Sequence, residues 1–114
     1  FGGGKPPVWS SDSRYIAFTV EDNPGKVPPI YEIRIVDIVA GAERNLINDN
    51  TSKSNVLPTW SPSGLQVLFL SDWSDERGGS EVWIASLDGT QLKQLTADGY
   101  PKRSAPIWLP ILGR

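Results

Sequence analysis

The sequence predicts an all-β protein, and three observations support this prediction. Apolar and polar residues alternate with period two in several short segments, which is the pattern of strands. No window of about eleven residues shows a helical apolar stripe, and 11 Gly plus 10 Pro interrupt the chain too often for long helices. The chain also repeats itself, because "PVWSSDS" near the start returns as "PTWSPSG" and "PIW" follows near the end.

The repeat extends well beyond this Trp motif. Its period is about 50 residues, within the range where repeated sequences form solenoids or propellers. A change of offset between the two halves of the repeat places a two-residue insertion in a loop. At an offset of 51, residues 7, 9, 10 and 16–18 match residues 58, 60, 61 and 67–69. At an offset of 49, residues 32–35 and 46 match residues 81–84 and 95.

Each repeat contains four predicted strands. The first is the short Pro-x-Trp segment, the next two are rich in β-branched and aromatic residues, and the fourth is more polar. The second, third and fourth strands are predicted at 15–20, 31–38 and 43–47 in one repeat, and at 66–70, 81–87 and 92–96 in the other.

The predicted turns agree with these strands. Ser61-Pro62-Ser63-Gly64 has Pro at the second place and Gly at the fourth place of a type I turn, and Asp88-Gly89 suits a tight hairpin with positive φ. The corresponding turns of the first repeat, at 11–13 and 40–41, are less ideal.

These residues resemble the TolB-like, or PD40, β-propeller repeat, a WD40-like blade that reads Pro-x-Trp-Ser-Pro-Asp-Gly, an apolar strand ending in Phe, a second strand, and a polar strand ending Leu-Thr. Residues 60–64, 69, 82–87 and 95–96 match it well, and residues 9–13, 18, 33–38 and 46 match it loosely. The resemblance implies two four-stranded antiparallel blades and the first strand of a further blade. The predicted divisions are a lead-in at 1–6, blades at 7–57 and 58–105, and a closing or third-blade strand at 106–114.

The repeated Trp answers a packing need, because a blade has two apolar faces that neighbouring blades must cover. A buried Trp near the innermost strand would remove about 150–250 Å² from water. Stacking of a sugar or a base is the functional alternative. The predicted structural core residues are Trp9, Phe18, Trp60, Phe69 and Trp108.

Two blades do not close a ring, since propellers need about four to eight. We therefore expect the outer faces of both blades to lack cover and to stack on further blades. These blades would come from the same longer protein or from other copies of the chain, for example as a six-blade ring of three chains. The chain contains no Met and begins with Phe1, so it is interpreted as a processed product or an excerpt.

The composition argues against several functions. Cys and His are absent, which removes thiolate nucleophiles, Ser-His-Asp triads and most zinc sites. The net charge of −2 favours neither nucleic acid nor an anionic membrane, and the apolar runs are shorter than the about 20 residues of a membrane helix. Asp72, Asp75 and Glu76 fit a solvated loop better than a calcium site. No catalytic residue, metal or cofactor is predicted.

A ligand is expected on the propeller face that carries the long connections, opposite the tight turns. Trp, Tyr and Arg dominate binding hot spots, and this face is predicted to contain all three. A loop Trp folded over its own blade is the structural alternative for Trp73. The predicted binding residues are Trp73, Asp75, Glu76, Arg77, Tyr100 and Arg103.

Two functions stay open. The first is a non-catalytic scaffold that binds a protein or peptide on the loop face or in the channel, and the resemblance implies a periplasmic or other extracytoplasmic location. The second is a fragment of the propeller cap of a serine oligopeptidase, which would gate a hydrolase domain absent from this chain. The near-match of residues 78–82 to a nucleophile elbow lacks the final Gly and a His partner, so it does not favour catalysis here.

Overall fold

The computed structural model describes residues 6–22, 30–47, 54–72, 81–97 and 100–102, with the backbone alone at Asp22. Their strands form two four-stranded antiparallel sheets, each in simple sequential order. The all-β prediction with two four-stranded blades is therefore confirmed. The third Trp motif, with Trp108 and the predicted further strand, lies outside the described residues. Blade 1 contains β1 (Val8–Trp9), β2 (Tyr15–Asp22), β3 (Ile30–Asp37) and β4 (Ala42–Asn45), and blade 2 contains β5 (Asn55–Trp60), β6 (Gln66–Ser71), β7 (Glu81–Ser86) and β8 (Leu92–Gln94).

The main core lies between the two blades. It is built from one face of each sheet, because alternate residues of a strand point to opposite faces. Val8, Tyr15 and Trp83 pack at its edge. The buried members are Ala17, Ile33, Ile35 and Leu46 of blade 1 and Trp60, Val67, Phe69 and Ala85 of blade 2.

Trp60 behaves as the repeat predicts. Only 8% of it is exposed, its ring stacks on that of Tyr15 with centroids 6.0 Å apart, and its indole Nε1 donates a hydrogen bond of 3.1 Å to the carbonyl of Val8. Phe69 is also buried. Trp60 of blade 2 therefore packs against blade 1 and is hydrogen-bonded to it.

Trp9 does not match its prediction as a core residue. It is 56% exposed, and Phe18 is half-buried rather than fully enclosed. Trp9 pairs with Ile16 across β1 and β2, one residue out of step with the Val8–Ala17 pair that faces the core. Its side chain is therefore on the far face of blade 1, where no described blade covers it.

Blade 2 also departs from the expectation that both outer faces would lack cover. β6 is buried on both faces from Val67 to Ser71. Leu68, which points away from the blade interface because it neighbours Val67, is only 8% exposed. The expectation is wrong for β6, and the open face belongs to blade 1.

Candidate functional site

The tight turns at one end of the blades depend on the Ser that follows each repeated Trp. Ser10 and Ser61 are both buried, at 3% exposure. Their hydroxyls accept hydrogen bonds from the backbone N–H of Tyr15 at 3.0 Å and of Gln66 at 3.1 Å. The Ser of the Trp-Ser motif thus closes the turn and fixes where the second strand begins.

The motif position two residues after this Ser is Asp12 in blade 1 and Ser63 in blade 2, and in both blades its side chain accepts a hydrogen bond from the turn backbone. Asp12 accepts a bond from the backbone N–H of Arg14 at 3.1 Å, and Ser63, its counterpart, accepts from that of Leu65 at 3.3 Å. The departure of Ser63 from the usual Asp therefore preserves the turn. The hydrogen bonds from Ser10 and Arg14 lower the pKa of Asp12.

The second pair of turns at this end is held by Asp37 and Asp88. Asp37 accepts from the backbone N–H groups of Val39 and Ala40 at 3.0 and 3.1 Å. Asp88 accepts from the N–H and hydroxyl of Thr90 at 3.0 and 2.7 Å. Each carboxylate accepts hydrogen bonds from donors of its own turn, as Asp side chains commonly do, and these bonds stabilise the turn conformation.

The turns of the two blades enclose a cleft of about 660 Å³ at the blade interface. This volume lies within the range of about 300–1,000 Å³ that is typical of ligand pockets. Most of the exposed area of its lining is apolar, although more than half of the lining residues are polar or charged. The lining residues that matter chemically are Tyr15, Ile35, Asp37 and Arg44 of blade 1 and Leu65, Gln66, Leu87 and Asp88 of blade 2.

The carboxylates of the cleft are committed to structure. Arg14 binds Asp37 with two hydrogen bonds of 3.1 and 3.0 Å, and this contact lowers the pKa of Asp37 and raises that of Arg14. The backbone and hydroxyl bonds from Thr90, followed by that from Ser86, lower the pKa of Asp88 to about 2. Both acids are therefore ionised at neutral pH, so neither has a proton to donate, and their lowered pKa values make them weaker proton acceptors than an ordinary Asp.

Arg44 differs from the other charged residues of the cleft. Its Nη1 donates a hydrogen bond of 3.1 Å to the carbonyl of Asn45, which uses one of the five guanidinium donors. Its charge also contributes to the lowered pKa of Asp88. Half-buried at the blade interface, Arg44 can bind an acceptor group that enters the cleft.

Apolar side chains are also exposed at this end of the molecule. Leu65 is 64% exposed at the cleft. Ile38 and Val39, in the β3–β4 turn, are 47% and 73% exposed. Exposed apolar groups that cluster beside a pocket are a common feature of interaction sites. The sequence did contain this signal, since apolar residues inside tight turns have no packing reason to be there.

The opposite, long-loop end is described only in part. Lys102 lies 3.8 Å from the carboxylate of Glu81 and donates to the carbonyl of Tyr100 at 2.7 Å. Thr96 donates to Glu81 and accepts from the backbone N–H of Val82 at 3.0 Å. These contacts hold Tyr100 at the surface, where it is 72% exposed.

The structure describes one of the six predicted binding residues. Tyr100 is described and exposed. The other members, Trp73, Asp75, Glu76, Arg77 and Arg103, lie outside the described residues. The tight-turn cleft was not predicted, because it forms between two blades and the sequence pattern describes each blade separately.

The described part of the chain has neither a metal-binding cluster nor a membrane-spanning helix. Its Asp and Glu side chains form no group of three that could hold a metal ion. None of the described segments is a helix of the length and apolarity needed to span a membrane.

A solved structure shares this arrangement of blades. No family model matches the chain, and no curated protein does so. The structure of putative TolB from Agrobacterium tumefaciens aligns with a TM-score of 0.64 at 23% identity, over 86% of this chain and 33% of that one. The fold is that of a TolB-like β-propeller. The chain spans about a third of the length of this TolB structure, and at this identity the likeness establishes the fold alone.

Proposed function

We propose that this chain is part of a non-catalytic β-propeller module that binds a protein or peptide. The TolB-like fold supports this proposal, because its blades offer rigid strands that hold loops and clefts in place. An extracytoplasmic location is proposed on the same resemblance.

The observation that supports binding most directly is the inter-blade cleft. Most of the exposed area of its lining is apolar, its carboxylates are ionised and engaged within their own turns, and Leu65, which lines it, is exposed. Such a site offers an apolar surface with directed polar groups, as ligand-binding pockets do. It offers no group poised for proton transfer.

The loop face remains a second candidate surface. Tyr100 is exposed there beside the Lys102–Glu81 pair, and Tyr is a residue type that dominates binding hot spots. Together with Trp73, Asp75, Glu76, Arg77 and Arg103 it forms the binding set that the sequence favours.

A peptide library distinguishes the two surfaces. Random peptides displayed on phage are selected on the intact chain, and the affinity of the selected peptides is then measured for the wild type and three variants. We expect Leu65→Ser to weaken binding about tenfold, equivalent to about 1.4 kcal/mol. Leu95→Ser is the matched control, since Leu95 is also exposed, at 46%, but lies away from the cleft.

Tyr100→Ala completes the set. Loss of affinity in this variant alone would place peptide binding on the loop face instead of the cleft. Failure to select any peptide that binds the folded chain with micromolar affinity would contradict the proposal.

The non-catalytic part of the proposal is tested separately. The whole sequence lacks His and Cys, so we expect no turnover of ester or peptide substrates by the purified chain. Hydrolysis that disappears in Ser80→Ala would show that this part is wrong.

A further inference from the structure

The inter-blade cleft continues into a second cavity, which lies beside the fourth strands of the two blades. This second cavity has a volume of about 330 Å³. Arg44, Asp88 and Gln91 line both cavities, so these three residues form the boundary between them. We call this boundary the neck. A ligand that fills both cavities must pass it.

Apolar side chains lie on both sides of the neck. Each cavity has an exposed leucine among them, because Leu65 of the cleft is 64% exposed and Leu92 of the second cavity is 43% exposed. A ligand gains most by covering both, since burial of apolar surface is favourable. The apolar lining residues are Ile35, Leu65 and Leu87 in the cleft and Leu46, Ile47, Ala85 and Leu92 in the second cavity.

Arg44 reaches the neck because of its register. It pairs with Ile35 across β3 and β4, and Ile35 is part of the core between the blades. Paired residues share a sheet face, so the Arg44 side chain lies on the face of blade 1 that meets blade 2. A Cβ placed on Gly89, in a turn of blade 2, would be 3.8 Å from its Nη1. Beyond its bond to Asn45, the other guanidinium donors have no hydrogen-bond partner among the described residues.

Asp88 supplies an acceptor to the neck from blade 2. Its Oδ1 accepts from the hydroxyl of Ser86 at 2.7 Å and from the N–H and hydroxyl of Thr90 at 3.0 and 2.7 Å. Within the part of the chain that the structure describes, Oδ2 accepts no hydrogen bond, and no ion pair joins Asp88 to Arg44. The charge of Arg44 nevertheless contributes to the lowered pKa of Asp88. Unfilled donors and an unfilled acceptor therefore lie near each other in the neck.

The charges around the neck select against an ionised ligand. Arg44 and Asp88 have opposite charges, and Asp37 of the cleft is already paired with Arg14. A carboxylate would be repelled by Asp88, and an ammonium group would be repelled by Arg44. An amide carries no charge and has both a C=O acceptor for Arg44 and an N–H donor for Asp88, and hydrogen bonds to charged partners are the stronger kind. The neck therefore matches an amide group.

We propose that the neck binds the peptide group between two consecutive apolar residues of an extended peptide, an inference that rests on the proposed function of the cleft. The C=O of this peptide group accepts from Arg44, and its N–H donates to Oδ2 of Asp88. Consecutive side chains of an extended chain point in opposite directions, so one enters the cleft and the other enters the second cavity. The side-chain amide of Asn or Gln fits less well, because it has an apolar group on one side only.

Ester substitution tests this proposal at a single peptide group. Peptides that are selected on the intact chain and that lose affinity for Leu65→Ser are synthesised again, with each peptide group in turn replaced by an ester. An ester lacks the N–H donor and is a weaker acceptor. We expect the ester between two consecutive apolar residues to weaken binding about tenfold or more, and esters elsewhere to weaken it by less than about twofold. This series uses the unaltered protein, so it does not depend on the folding of a variant.

A variant of Arg44 tests the same contact from the protein side. Arg44→Met retains an unbranched side chain and removes the donors, so the affinity of the all-amide peptide should fall about tenfold. The ester should then cost less in this variant than in the wild type, because the peptide group has already lost its cationic partner. Arg34→Met is the matched control and should leave the affinity unchanged. It removes the same charge from β3, on the opposite face of the sheet, where Arg34 is bonded to Glu43 and Asn45.

The outcomes separate this inference from the proposed function. Peptides that need Leu65 but tolerate an ester at every position would overturn the inference and leave peptide binding by the cleft in place. The same holds for selected peptides whose shared residues are charged instead of apolar. Peptides that need Tyr100 and not Leu65 would also overturn it. Failure to select any peptide would contradict the proposed function itself.

Discussion

Trp60 of blade 2 donates its indole N–H to the backbone carbonyl of Val8 in blade 1, across the interface between the two sheets, at 3.1 Å. The repeat places a Trp at this position because the innermost strands lie side by side and a carbonyl at the β1 edge is open to it. A large ring then fills the interface while its single polar group stays satisfied.

Replacing this Trp should destabilise the chain strongly. We expect Trp60→Ala to lower the free energy of unfolding by about 3–5 kcal/mol, the range for emptying a buried aromatic site. Chemical denaturation monitored by circular dichroism measures it. Trp9→Ala is the matched control and should change stability by about 0.5 kcal/mol or less, since Trp9 is exposed. Equal losses in the two variants would contradict the assigned faces.

A reciprocal exchange tests the turn that follows each Trp. Ser13 and Gly64 hold equivalent positions, and both have positive φ, at 60° and 77°. This backbone conformation costs Ser about 1 kcal/mol more than it costs Gly, because Gly has no Cβ. We therefore expect Ser13→Gly to stabilise the chain and Gly64→Ser to destabilise it by about that amount. A methyl group at Gly64 would meet only Ser11 Oγ, at 3.9 Å, so the effect arises from the backbone and not from a clash. If the melting temperatures of both variants shifted in the same direction from that of the wild type, this explanation would be excluded.

The turn at Asp88 predicts a specific dependence on pH. Its pKa in the folded chain is about 2, below the usual Asp value of 3.8. The stabilisation by this carboxylate is therefore complete above its unfolded pKa and is lost as the pH falls through the folded pKa. The stability advantage of the wild type over Asp88→Asn should shrink as the pH falls from about 4 to about 2, measured by denaturation at each pH.

Thr90 supplies the control for this prediction. Thr90→Val removes the hydroxyl donor to Asp88 while the backbone N–H donor stays. The pKa of Asp88, followed by NMR titration of its carboxyl carbon, should rise in this variant. An unchanged pKa would show that the hydroxyl bond does not contribute in solution.

A buried hydroxyl offers a stabilising substitution. Thr19 is fully buried, and within the described part of the chain its Oγ1 has no hydrogen-bond partner. An unsatisfied buried polar group costs about 1–3 kcal/mol, so Thr19→Val should leave the chain equally stable or stabilise it by about 1 kcal/mol. Destabilisation by more than that amount would mean that a bound water satisfies the hydroxyl.

Much of the fold followed from sequence pattern. The strand patterns located β2, β3, β6 and β7. β3 alternates as a strand buried on one face must, whereas β6 is a short, nearly continuous apolar run that is buried on both faces. The Gly64 turn was also predicted correctly: the N–H of Gly64 donates to the carbonyl of Ser61 at 2.9 Å, with positive φ at the Gly.

Other features depend on neighbours that a local pattern does not contain. Trp9 and Trp60 have the same motif, and only the presence of a preceding blade separates an exposed ring from a buried one. The Asp88-Gly89 hairpin is longer than a two-residue turn, since Ser86 N–H donates to the carbonyl of Gln91 at 3.0 Å. The bulge in β5, where Leu57 adopts a φ of 58° ahead of Pro58, has no signal in the repeat.

The candidate site was the hardest feature to predict. The sequence predicts binding at the loops because Trp, Tyr and Arg occur there, and this stays a prediction, since Tyr100 alone of the predicted binding residues lies in the described part of the chain. The cleft is lined by residues of both blades, such as Tyr15 and Leu65, and the pattern within one blade does not specify how two blades meet.

The Trp of the Pro-x-Trp motif packs blade 2 onto blade 1, the blade before it. Hydrogen exchange of the Trp indole N–H groups, resolved by NMR and assigned with single Trp→Phe variants, tests this packing most directly. We expect slow exchange at Trp60, whose N–H is bonded to Val8 inside the interface, and fast exchange at Trp9. Fast exchange at Trp60, or equal protection of the two, would contradict it.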